Sequence, residues 1–316
     1  MPVPTFFIVG APRCGTSSLY AYLSAHPDVF VCRPKEPHHL GSDLDLRPRP
    51  FADRAAYLRL FDGGGRARQL GEGSVLYLYS KAAPGEIRAL SPDAKAIVLL
   101  RDPVEMVCSL HAHNLLLNHE DLPDLEQALA AEADRREGRR IPPTCAAPLA
   151  LQYRALGRFA EHVSRYRESL GPERVRCILY DDLAAEPERV YRETISFLGL
   201  EPGGRPEFKA LNQRSRWRSP RAGRLLIRGL RRGSLVAQKL PTRALRTSAL
   251  AVVGLLSVVP MRLNLTPARS SAPAPELLAG LKDAFRDDVG HLAEILGRDL
   301  SSWLAPQPEH STSVPR

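Results

Sequence analysis

The chain alternates short, continuously apolar runs with longer segments whose apolar residues recur at helical spacing. Thr5-Phe-Phe-Ile-Val9 is β-branched and aromatic, has no polar break, and stops at Gly10. Such a run suits a strand covered on both faces in a parallel sheet. Thr16, Ser17 and Ser18 then offer helix-starting side chains, and Leu19, Tyr22 and Leu23 share one helical face. His26-Pro27-Asp28 ends that helix, because the residue before a proline disfavours helical backbone. Val29-Phe-Val31 reads as the next strand.

The same pattern recurs twice. Ala96-Ile-Val-Leu-Leu100 is a buried strand, followed by Asp102 placed as N-cap, Pro103 at the first helical position, and a helix to about Leu117. Val175 to Tyr180 is a third strand. Asp181 and Asp182 are expected to cap it, and a helix near Pro187 to Leu198 is expected to end at Gly199. Strands alternating with helices predict an α/β fold: a P-loop-like parallel sheet of about five strands flanked by helices, in a single domain. The predicted domain runs over residues 1–305, and the polar stretch 306–316 is expected to be a disordered tail. Glu132 to Pro148, rich in charge and proline, reads as a mobile loop. Ligands of such sheets bind beyond the carboxyl ends of the strands. The segments after Val9 and Leu100 are therefore the first places to look for chemistry.

Composition narrows the class. The 316 residues are 44% hydrophobic and 25% charged, which suits a globular enzyme-sized chain. The N-terminus has no basic segment before its apolar run, so no secretory signal is expected. The longest apolar run, Ala249 to Val259, is too short to cross a bilayer as a helix. Five scattered cysteines without C-x-x-C or zinc-type spacing predict reduced thiols, a cytoplasmic setting and no metal site. The net charge of +9 is local. Between Glu207 and Glu276 there is no acidic residue, while Lys and Arg are frequent. Within the basic helical segment 214–262, Arg224, Arg228 and Arg232 recur at i, i+4 with Leu226, Leu230 and Val236 on another face. That pattern fits an anionic membrane surface at the inner face, a polyanionic or lipid-linked partner, or a solvated face.

Gly10-Ala-Pro-Arg-Cys-Gly15-Thr-Ser17 has the G-x-x-x-x-G spacing of a phosphate loop between strand and helix. Glycines admit the anion close to the backbone, and unpaired N–H groups at the helix start point at it. A nucleotide hydrolase or kinase loop needs Lys after the second glycine. Here that position is Thr16, and the loop's cation is Arg13. Phe7 to Tyr20 as a whole resembles the 5′-phosphosulfate loop of sulfotransferases that use 3′-phosphoadenosine 5′-phosphosulfate (PAPS), of the bacterial and heparan-sulfate type. The resemblance implies that Arg13, Cys14, Gly15, Thr16 and Ser17 hold the donor. The family usually has Lys where Arg13 stands. Arginine keeps the charge but does not give up a proton, so Arg13 is assigned to electrostatic stabilisation.

Two further segments extend the resemblance. Lys35-Glu-Pro-His-His39 is similar to the family's K-E-P-H-F-F, with His39 in place of the first Phe. It implies Glu36 as the base that deprotonates the acceptor and His38 as a group that orients the acceptor or shares the proton. Leu100-Arg101-Asp-Pro103 through Ser109 is similar to the 3′-phosphate site, L-R-D-P-x-x-R-x-x-S, which implies that Arg101 and Ser109 grip one phosphate. Met106 stands where the family often has Arg. Gly71-Glu-Gly-Ser-Val-Leu-Tyr77 resembles a segment near the acceptor, but some relatives carry Lys where Gly73 stands, and Tyr77 also suits the core. Asn212 to Arg214 and Leu296 to Trp303 look similar to the bacterial group, the latter as a packed helix end, and Arg269 is a candidate for a loop over the nucleotide.

The expected reaction is sulfuryl transfer from PAPS to a hydroxyl or amine of a carbohydrate, glycolipid or small-molecule acceptor, leaving adenosine 3′,5′-bisphosphate. No nucleic-acid partner is expected. Two alternatives stay open: a P-loop nucleotide kinase, and a non-catalytic protein of the same fold that binds a membrane or polyanion.

Overall fold

The structure, a computed structural model, describes residues 1–204, 206–209, 215–217, 229, 233, 265–267 and 273–305. The basic segment 214–262, apart from a few positions, lies outside the described residues. So do Asn212 to Arg214, Arg269 and the stretch 306–316.

Five strands form one parallel sheet: β1 (Phe6–Gly10), β2 (Val29–Val31), β3 (Gln69–Gly73), β4 (Lys95–Leu100) and β5 (Val175–Leu179), in the order β2-β3-β1-β4-β5. β1 sits at the centre and pairs with β3 through Phe6↔Gly71 and with β4 through Phe6↔Lys95. Phe6, Phe7, Ile8 and Val9 are fully buried, as are Ala96 to Leu100. Each large side chain buried this way contributes roughly 1.5–3 kcal/mol. Helices flank the sheet: α1 (Thr16–Leu23), α2 (Arg54–Leu58), α3 (Ala83–Leu90), α4 (Pro103–Leu116), α5 (Leu125–Ala130), α6 (Glu132–Arg136), α7 (Tyr153–Leu156), α8 (Ala160–Leu170), α9 (Tyr180–Ala185), α10 (Pro187–Phe197) and α11 (Pro275–Leu296). A separate antiparallel pair joins Ser215–Trp217 to Leu265–Pro267. Among the described residues no helix is long and apolar enough to cross a membrane.

The expected five-stranded parallel sheet flanked by helices is present. β4 and α4 follow the expected pattern closely: Asp102 accepts from the N–H groups of Val104 and Glu105, and Pro103 opens the helix. The packed end after Leu296 is also there, with Gly297 in the left-handed conformation and Trp303 buried.

α1 starts at Thr16, as expected, with Gly15, which offers no side chain, at the cap position. Two expectations change. Asp181 and Asp182 lie inside α9 rather than before it. Asp181 accepts from Trp303 Nε1, and Asp182 pairs with Arg298 at 3.0 Å, so these carboxylates fasten the end of the chain. Glu132 to Pro148 is anchored by α6. Arg135 meets Glu120 through two bonds of 2.7 and 2.6 Å with neither side chain exposed, and Glu120 also accepts from Tyr153.

Candidate active site

The carboxyl ends of β1, β2, β3 and β4 each deliver one segment to the same edge of the sheet. After β1 the loop is tied to β4 by the Ala11 N–H, which donates to Leu99 O at 2.7 Å. Gly15 then takes φ 89°, and a Cβ there would lie 2.9 Å from Leu183 and 3.1 Å from Tyr180 of α9. Only glycine fits both the conformation and the space. The first N–H groups of α1 have no carbonyl within their own helix, and the helix dipole makes this end attractive to anions.

Arg13 adopts φ 64°, and its Nε donates to Ser109 Oγ at 3.1 Å. Ser109 is thus joined to Arg13, the cation of the loop after β1. Arg101 donates through Nε and a terminal nitrogen to Glu105 one turn along α4, and its guanidinium lies 4.4 Å from the centre of the Tyr180 ring. Cys14 is buried in the core, its thiol pushed up to about 12 chiefly by burial, so only its backbone is available to a ligand. Thr16 and Ser17 turn their hydroxyls toward Lys35, whose Nζ donates to them at 3.4 and 3.3 Å.

The segment after β2 is held by the end of β3. The Glu36 N–H donates to Gly73 O at 2.9 Å, and the His38 N–H to Ser74 Oγ at 3.1 Å. Ser74 donates in turn to Glu72 at 2.6 Å, and Tyr57 donates to the same carboxylate. Tyr77 accepts from the Leu40 N–H at 2.8 Å. Glu72 is completely buried, and burial pushes its carboxyl up despite these bonds. His39 fills the aromatic slot of the motif by stacking on Tyr57, with centroids 4.2 Å apart.

This frame fixes Glu36 at φ 62° and His38 at φ 49°. With Arg13, three of the five non-glycine residues in the left-handed region among the described residues are the three assigned to catalysis on sequence grounds. Non-glycine side chains hold that conformation only where the surroundings impose it. The Glu36 carboxylate lies 3.0 Å from Lys35 Nζ and 3.4 Å from His38 Nε2. Burial alone would raise its pKa; the His38 hydrogen bond and the Lys35 charge outweigh it and hold the group at about 2. His38 Nδ1 is buried and has no partner among the described residues. His113, one turn beyond Ser109 on α4, is pushed down to about 4, first by burial and then by the Arg13 charge. It stands neutral beside the cluster.

The sequence profile described as "Sulfotransferase domain" matches residues 4–215. The chain belongs to the sulfotransferase family. It is 28% identical over 216 residues to the human bifunctional heparan sulfate N-deacetylase/N-sulfotransferase 3, a match covering 63% of this chain and 23% of the relative. It is 33% identical over 151 residues to mouse carbohydrate sulfotransferase 15, covering 34% of this chain and 26% of the relative. The match thus spans about a quarter of the length of these curated relatives. Among solved structures, a sulfotransferase from Alicyclobacillus acidocaldarius superposes with a TM-score of 0.68 at 28% identity, covering 96% of this chain and all of that one.

Two charged residues at the candidate site, Lys35 and Glu105, escaped assignment from the sequence. Lys35 stands inside the motif that named Glu36, but only the fold brings it to the start of α1. Glu105 sits at an unassigned motif position, and only the helix turn shows that it occupies the Arg101 fork.

Proposed function

We propose that this sulfotransferase moves a sulfuryl group from PAPS to a hydroxyl or amine of a carbohydrate, glycolipid or small-molecule acceptor, releasing adenosine 3′,5′-bisphosphate. One observation carries the reading: at the N-terminus of α1 the Lys35 ammonium meets the Thr16 and Ser17 hydroxyls and the Glu36–His38 pair, while Arg13 in the loop just before that helix reaches Ser109 on α4. The donor set fits the group. A phosphosulfate needs several cationic and N–H donors on one side, which the loop, Arg13 and Lys35 supply. A second phosphate needs a separate cation, and Arg101 is fixed at the end of β4 by Tyr180.

In this reading the N–H groups of residues 15–17 and the Arg13 guanidinium hold the 5′-end of the donor, with Ser109 fixing Arg13. Arg101 holds the 3′-phosphate once it leaves Glu105. Glu36 takes the proton of the attacking hydroxyl or amine, and His38 orients the carboxylate. The buried Glu72–Tyr57–Ser74 network keeps the Glu36–His38 backbone in position. The kinase alternative remains disfavoured by Thr16, which stands where such loops carry lysine.

Calorimetry with adenosine 3′,5′-bisphosphate and with ATP·Mg²⁺ tests the donor. Binding of the bisphosphate, with weak or no ATP binding, is expected; the reverse pattern rejects the proposal. Incubation with isotopically labelled PAPS and heparan-type oligosaccharides, followed by mass spectrometry, then tests the acceptor class. Transfer to no oligosaccharide and to no component of a cell extract would favour the non-catalytic alternative.

A further inference from the structure

Gly73 ends β3 beside the site, and its missing side chain leaves room that another residue uses. A Cβ at position 73 would lie 3.0 Å from the Tyr20 ring and 3.5 Å from Cε of Lys35. The Lys35 stem therefore crosses the space in front of Gly73. Its ammonium reaches Thr16 Oγ1 and Ser17 Oγ on the first turn of α1 and Glu36 Oε1 at 3.0 Å. The loop's own cation, Arg13, directs its Nε to Ser109. A compact ammonium thus faces the helix N-terminus from the same segment that supplies the base.

We propose that Lys35 is the cation that contacts the transferring sulfuryl group and its bridging oxygen, and that it must leave Glu36 to do so, which frees the carboxylate to accept the acceptor's proton. This rests on the PAPS reading above. An ammonium on a flexible stem carries three donors and exchanges partners readily, whereas a guanidinium works as a fixed planar fork. The anionic oxygens at the start of α1 present more negative charge than one carboxylate, so the ammonium follows them. In the transfer step the bond from acceptor oxygen or nitrogen to sulfur forms as the bridging S–O bond breaks. The acceptor's proton passes to the Glu36 carboxylate. The electron pair of the broken bond stays on the 5′-phosphate oxygen, where the Lys35 N–H groups stabilise it. One charge thereby restrains the base in the free site and stabilises the leaving group in the loaded one.

The test is a binding cycle built from Lys35→Met, Glu36→Gln and the double variant, read by calorimetry. The probes are adenosine 3′,5′-bisphosphate and adenosine 3′-monophosphate, with unfolding midpoints as a check on folding. Lys35→Met is expected to weaken the bisphosphate about ten-fold or more, the scale of a lost charged hydrogen bond, and the monophosphate less than about two-fold. Glu36→Gln is expected to tighten the bisphosphate in the wild-type background, and by a clearly smaller factor when Lys35 is already methionine. Lys35→Arg is expected to restore most of the binding. Unchanged bisphosphate affinity in a folded Lys35→Met protein overturns the contact. Equal effects of Glu36→Gln in both backgrounds overturn the exchange between carboxylate and donor. A wild-type protein that does not bind the bisphosphate at all rejects the PAPS reading itself, a result distinct from either.

Discussion

If Arg101 holds the donor's 3′-phosphate as proposed, Glu105 competes for the same fork, and its removal tests that assignment. In the free site Glu105 accepts from Arg101 Nε at 2.8 Å and also from a terminal guanidinium nitrogen. The arginine side chain is 15% exposed and the glutamate 36%, so the pair is partly screened. Pairs of this kind contribute roughly 0.3–1 kcal/mol. A phosphate that takes the fork must first displace the carboxylate. Glu105→Gln keeps the shape and removes the charge. It should therefore tighten adenosine 3′,5′-bisphosphate by about two- to five-fold, the same free energy written as an affinity ratio. Calorimetry against adenosine 5′-monophosphate, which lacks the 3′-phosphate, supplies the control: its affinity should change little. The gain should shrink as salt is raised, because screening weakens the competing pair. Weaker bisphosphate binding in Glu105→Gln would refute the reasoning, since it would mean that the glutamate positions Arg101 rather than blocks it. An equal gain for both nucleotides would refute it differently, by making the effect one of general charge.

Four further outcomes are expected. Arg135→Met leaves the fully buried Glu120 without its partner and should cost about 3–5 kcal/mol, read by chemical denaturation, while replacing both residues by apolar ones should recover most of it. His113 and His162 are both held near 4 against 6.5 when unfolded, by burial and by the charges of Arg13 and Arg165 respectively. The unfolded chain therefore binds more protons between those values, so their contribution is intact above pH 6.5 and declines as pH falls toward 4. The unfolding midpoint of a His113→Gln variant should be less sensitive over that window. With Glu36 held at about 2 in the free enzyme, the acidic limb of kcat/KM for the donor should lie far below neutrality, and Lys35→Met should move it upward. Gly15→Ala forces a side chain into the left-handed region against Leu183 and should destabilise by about 1–3 kcal/mol, with a measurable drop in unfolding midpoint.

What could be read from the sequence is what is decided locally. β1 and β4 announce themselves because strands covered on both faces need unbroken apolar runs. The start of α4 is legible because Asp102 and Pro103 act on the very next residues. β3 is not legible: Gln-Leu-Gly-Glu-Gly has two glycines and a glutamate that is buried only because Tyr57 and Ser74 satisfy it. Asp181 and Asp182 look like caps within their own segment, but their partners Trp303 and Arg298 come from the far end of the chain. Glu132 to Pro148 looks solvated for the same reason, since the carboxylate that buries Arg135 belongs to Glu120. Within the site, Glu36, His38, Arg13 and Arg101 follow from motif resemblance. Which cation meets which oxygen depends on side-chain reach across strands: Arg13 goes to Ser109, and Lys35 to the start of α1.

The strand order also makes the site divisible. β2 and β3 lie on one side of β1, while β4 and β5 lie on the other. Residues 32–75 therefore form a cassette that carries the proposed base, its positioning network, Lys35 and the position of Gly73 together. A graft of this segment is therefore expected to carry the proposed base and its neighbouring cation together, and to leave in place the residues on β1 and β4 that are proposed to hold the nucleotide.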